Sequence, residues 1–102
     1  MTWQRACDLN GTAIGEPLAI RVAGIDICVV RTANGVFAVR DECTHGAVPL
    51  SEGEVDGGTI ECWLHGSRFD LRTGAALSLP ATDPVRTFPV RVIDGLVHVD
   101  VT

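Results

Sequence analysis

The sequence predicts an all-β fold, an antiparallel sandwich or small barrel. Three observations carry this. Apolar residues come in short runs rich in Val, Ile and Thr, helical periodicity is nearly absent, and eleven glycines with five prolines supply many turns. The expected strands, in order, are 18–22, 25–32, 36–40, 59–62, 87–93 and 96–101. Ala23-Gly24 separates the first two. Asn34-Gly35 is expected to close the next hairpin as a type I′ turn, whose two central residues need positive φ. Asp94-Gly95 is expected to join the last pair. Cys7 and Cys28 fall in strand-like runs, where a free thiol acts as a small core residue. His98 alternates with Val97 and Val99, which puts it on the solvent face of the last strand. Two stretches, 43–58 and 63–86, break the pattern and read as long loops, the usual seat of function in a compact domain.

Composition excludes several classes. With 102 residues the chain is expected to form one domain, 1–102. All 8 bases are arginines against 13 acids, for a net charge of -5. Such a chain is a poor match to a nucleic-acid binder, which neutralises phosphates with basic residues. Without lysine it has neither a Schiff-base amine nor a P-loop lysine. The longest charge-free run, 73–82, is about half of the ~20 residues a membrane helix needs. Arg5 and Asp8 interrupt any apolar leader. A cytoplasmic protein is expected, in which four cysteines serve as metal ligands or core rather than disulfides.

The chemistry lies at the roots of the two loops. The first opens Cys43-Thr44-His45-Gly46 and the second Cys62-Trp63-Leu64-His65-Gly66. Each brings one thiol and one imidazole, with a glycine following where a tight turn wants permissive backbone. Two such loops can clamp a two-metal cluster from opposite sides. The alternative is one structural Zn²⁺ held by all four donors. Zinc fingers, however, usually pair Cys with Cys and His with His, whereas here each pair is mixed.

The two motifs resemble the Rieske [2Fe–2S] signature, in which two histidines replace two cysteines on one iron. The likeness runs on through Ser67-Arg68-Phe69-Asp70, Thr73-Gly74 and Leu79-Pro80-Ala81 to the closing hairpin. It is similar over almost its whole length to the small Rieske ferredoxins of bacterial ring-hydroxylating dioxygenases. The resemblance implies a Rieske-type sandwich with a loop-built cluster-binding part at about 41–84. It implies one [2Fe–2S] cluster, with Cys43 and Cys62 on one iron and His45 and His65 on the other. Ser67, Gly46, Gly66, Trp63 and Pro80 would surround it. The matching serine of high-potential relatives donates to a bridging sulfide. Those relatives also carry a tyrosine where this chain has Phe69, and a disulfide between the loops that this chain cannot form. Asp41, Glu42, Glu52, Glu54, Asp56 and Glu61 all precede the first downstream base, Arg68, and their field disfavours an added electron. A potential at the low end of the Rieske range, about −150 to +300 mV, is expected.

The expected function is one-electron transfer without catalysis, from a flavoprotein reductase to a terminal oxygenase. A mononuclear iron site needs two further histidines, and only His98 is left. No G-x-G-x-x-G occurs for a dinucleotide. Trp63, Leu64, Val48, Pro49 and Pro80 are expected to form an apolar collar at an exposed tip; for Trp63 plain core packing is the competing reading. The acidic surface favours basic partners. The alternatives are an accessory iron–sulfur protein linked to cluster assembly and a nitrite reductase small-subunit-like protein.

Overall fold

In the computed structural model, which describes residues 2–102, ten strands form three antiparallel sheets. The first holds β1 (Trp3–Asp8), β10 (Leu96–Asp100) and β9 (Val90–Ile93), in that order. The second runs β2 (Pro17–Val22), β3 (Ile25–Thr32), β4 (Gly35–Arg40), β8 (Thr87–Phe88). The third is small: β5 (Glu54–Asp56), β6 (Thr59–Glu61), β7 (Arg68–Asp70).

The all-β expectation holds, and the pleat explains the layers. Successive side chains of a strand point to opposite faces. Along β3, Ile27 and Val29 enter one apolar cluster with Val97, Val99 and Phe88. Cys28 and Val30 enter another with Leu50, Ile60, Phe69 and Leu71. The second sheet is therefore the middle layer, buried on both sides at β3. Each fully buried Val, Ile, Leu or Phe contributes roughly 1.5–3 kcal/mol, so the second cluster anchors the small sheet that carries one of the motif loops.

Several local expectations are corrected. β1 lies before the first strand expected, and pairs with β10 through a register shift between Arg5 and Cys7. The two stretches read as loops hold β5 and β7, each of three residues. The expected strand 87–93 is two strands: Pro89 has no N–H to donate, and the chain changes sheets there, from β4 to β10. The hairpin at Asn34-Gly35 is present, but its register pairs Thr32 with Gly35. Its central residues are thus Ala33 and Asn34, neither with positive φ, while Gly35 (φ 139°) opens β4. The two turns with paired positive φ are the others: Ala23 (50°) with Gly24 (80°), and Asp94 (51°) with Gly95 (75°).

Candidate metal centre

Both motif loops spring from strand ends and are closed by their own backbone. The first follows β4. The Asp41 carboxylate accepts the Ser51 N–H at 2.7 Å and the Ser51 hydroxyl at 2.6 Å, tying its two ends together. Inside it, Cys43 N–H donates to the Val48 carbonyl at 2.9 Å. The second loop joins β6 to β7. Cys62 N–H donates to the Ser67 carbonyl at 2.7 Å, and Gly66 N–H to the Cys62 carbonyl at 2.9 Å. Across its root Arg68 pairs with Glu61 at 3.0 Å.

The two glycines have different reasons. Gly66 has φ +75°, and a Cβ there would lie 3.3 Å from Glu61 Oε1. Gly46 is outside the left-handed region; its Cβ would meet Leu64 Cδ2 at 3.3 Å. Gly66 answers a backbone requirement, whereas at Gly46 the neighbour is only the movable end of a leucine side chain.

The four candidate donors are sorted by type. Cys43 and Cys62 are 3% and 2% exposed, in the same apolar cluster as Phe69. The Cys62 thiol is pushed above its ordinary value, chiefly by burial and further by its hydrogen bond with the Cys43 thiol. Backbone N–H groups of Leu64 and His65 pull the other way, because each donates to the Cys62 sulfur and favours a thiolate. His45 and His65 are exposed, with ring centroids 4.9 Å apart at 72°. Each loop supplies one donor of each kind, yet sulfur meets sulfur inside and imidazole meets imidazole outside.

This division fits a [2Fe–2S] group with two cysteines on one iron and two histidines on the other. A tetrahedral zinc needs four donors about one point. Among the described residues, no three His, Cys, Asp or Glu side chains are grouped to hold a single ion.

The surrounding residues follow. Ser67 is fully buried and its Oγ accepts the Ala81 N–H at 3.0 Å, which leaves its hydroxyl proton free of that bond. Trp63 (53%) and Leu64 are exposed, which rules out core packing for Trp63. Val48, Pro49 and Pro80 are half-buried. Cys28 is fully buried, and burial, with Asp41 nearby, pushes its thiol far above the ordinary range. Cys7, expected in the core, is only half-buried, and it packs at the margin of the other cluster. His98 is half-buried on the face opposite Val97 and Val99, its Nδ1 3.2 Å from the Leu96 carbonyl oxygen. Neither cysteine nor His98 joins the four. Sequence reasoning missed the structural work of Asp41 and Ser51, and of Thr44, whose hydroxyl donates to the Asp83 carbonyl at 2.7 Å, since side-chain bonds across loops leave no periodic trace.

Comparison with known proteins agrees with the geometry. Residues 2–89 match the Rieske [2Fe–2S] domain. The anthranilate 1,2-dioxygenase ferredoxin subunit of Burkholderia cepacia is 49% identical over 87 residues, 84% of this chain and 80% of its own. The ferredoxin of Sphingomonas yanoikuyae B1 superposes with a TM-score of 0.92 at 37% identity, covering 97% of this chain and 98% of that one. The ferredoxin in a complex of reduced oxygenase and oxidised ferredoxin of carbazole 1,9a-dioxygenase gives 0.89 at 37%, covering 95% of this chain and 100% of that one. Its motifs, its sheets and its relatives agree: this chain belongs to the Rieske [2Fe–2S] family and is an electron carrier, not an enzyme, with one cluster of that type.

Proposed function

We propose that Cys43 and Cys62 ligate one iron and His45 and His65 the other, within a cluster-binding part, 41–84, of a single domain, 1–102. The observation that carries this is the sorting of donors, thiols together in the core and imidazoles together at the surface. Bound there, the cluster supplies reversible one-electron chemistry, at a higher potential than an all-cysteine cluster because neutral imidazoles replace thiolates.

The chain's own residues do the rest. Cys43 and Cys62 hold their end away from water, while His45 and His65 bring the other end to the surface, where a partner can approach. Trp63 and Leu64 add exposed apolar area beside His65, suited to a small and short-lived contact. Ser67, its oxygen taken by Ala81 N–H, keeps its proton for a sulfur acceptor. On this reading electrons arrive from a flavoprotein reductase and leave to the terminal oxygenase of a dioxygenase system. The dioxygenase ferredoxins among its relatives support the second half of that path. Among the described residues no helix is long and apolar enough to cross a membrane, and four free cysteines suit a reducing cytoplasm.

The ligand assignment is tested by substitution. Cys43→Ala, Cys62→Ala, His45→Ala and His65→Ala each remove the visible absorption and the acid-labile sulfide; Cys7→Ala and Cys28→Ala keep both. A coloured Cys43→Ala protein, or a colourless Cys28→Ala one, contradicts the assignment.

A further inference from the structure

The two motif loops have no disulfide between them, since all four cysteines are free. A third segment joins them instead. Residues 78–83, which include Pro80, run past both loops and bond to each. Ala81 N–H donates to Ser67 Oγ at 3.0 Å, in a buried bond. Arg68 N–H donates to Ser78 Oγ at 2.9 Å. On the other side the Thr44 hydroxyl donates to the Asp83 carbonyl at 2.7 Å, across 39 residues of sequence. Just beyond, Val85 is buried and its N–H donates to the Gly74 carbonyl at 2.8 Å, which fixes the end of the segment.

Thr44 stands between Cys43 and His45, and Ser67 stands two residues after His65. A path of two hydrogen bonds and short backbone links therefore connects the two imidazoles through Ala81 and Asp83. The Ser67 end is buried and cooperates with the β6–β7 hairpin. The Thr44 end is exposed and, among the described residues, is the one side-chain hydrogen bond between the first loop and this segment. His45 itself is exposed, so little packing holds its ring.

We propose that Thr44 is a positioning residue: by clipping the first loop to the 78–83 segment, it sets where His45 stands relative to His65, in place of a covalent brace. The proposal rests on His45 and His65 being cluster ligands. Loss of one exposed hydroxyl bond leaves the sheets intact, so its effect is confined to the ligand environment.

The test uses the intact, cluster-loaded protein. Thr44→Val keeps the branched shape and deletes the donor; Thr44→Ser keeps the donor. Thr12→Val is the comparison, because Thr12 also donates its hydroxyl to a carbonyl, that of Leu9 at 2.6 Å, outside the motif loops. For Thr44→Val the reduced-state EPR g-values and the midpoint potential shift, and the half-life of the visible absorption on mild heating falls several-fold. The far-UV circular dichroism stays that of the parent. Thr44→Ser restores all three readings, and Thr12→Val leaves g-values and midpoint unmoved. Parent-like EPR, midpoint and half-life in Thr44→Val would overturn the proposal alone, as would equal shifts in Thr12→Val. A parent protein with no cluster signal would overturn the ligand assignment, and the proposal with it.

Discussion

Single residues divide into those whose role shows in their type and those whose role depends on place. Cys43, His45, Cys62 and His65 are legible because soft and borderline donors at tight spacing have few other uses. The glycines after them look alike in sequence and differ in structure. Gly66→Ala forces a side chain into the left-handed region beside Glu61, at a cost of about 1–2 kcal/mol. It should lower the denaturation midpoint and hasten loss of colour. Gly46→Ala meets only the tip of Leu64, and its denaturation midpoint should stay nearly parental. Equal losses in the two would contradict this difference between the glycines. Phe69 is fully buried with both cysteines in its cluster, so no hydroxyl reaches their sulfurs from that position. Its replacement by tyrosine should raise the midpoint potential from the low end of the Rieske range, as read by voltammetry; an unchanged or lower value would refute this.

Strands and turns were legible where the pattern is local. Runs such as Ile25–Thr32 announce themselves by branched apolar residues, and the sheet register bears them out. β1 is different. Its register shift between Arg5 and Cys7 breaks the alternation that would betray a strand, and its partner lies at the far end of the chain. β5 and β7 are too short for any period to show, and exist because β6 pairs with both. At Asn34-Gly35 the dipeptide marked a turn but not its frame: Thr32 Oγ1 accepts the Asn34 N–H at 3.1 Å, a bond inside the turn that type I′ does not need. The terminal strands carry a pH-dependent clasp. Asp100 accepts N–H bonds from Thr2 and Thr102, each at 3.0 Å, and the Thr102 hydroxyl. These bonds, led by those of Thr102, hold its carboxyl below the usual range. A depressed carboxylate stabilises the fold above the unfolded value near 3.9 and loses that contribution as pH falls through the folded value. Asp100→Asn should therefore lower the thermal midpoint at neutral pH, with the gap to the parent closing below about pH 4. A gap constant with pH would show that the charge is not the cause.

At the scale of the molecule, charge is divided as unevenly as the donors. Residues 41–84 hold eight acids and two arginines, and the rest of the chain five acids and six arginines. The acids of the second group are partly paired, Asp8 with Arg5 and Asp26 with Arg21, while in the first only Glu61 has an arginine partner among the described residues. The negative pole thus lies in the part that carries the motifs. Added salt screens such a field. Oxidation of the reduced protein by cationic hexaammineruthenium(III) should slow as salt rises, and oxidation by anionic ferricyanide should quicken. The opposite pair of trends would contradict the polarity.

Net charge and motif were both visible in the sequence. That the loops sort cysteine with cysteine and histidine with histidine follows in the sequence from the family resemblance alone and not from spacing, because the sorting depends on how β4 and β6 bring their ends together. The central claim is that these four donors hold a [2Fe–2S] cluster and not one zinc, and one assay reaches it most directly: iron, zinc and acid-labile sulfide measured together on freshly purified protein. Two irons and two sulfides per chain, with negligible zinc, are the predicted result. One zinc per chain without labile sulfide would contradict it.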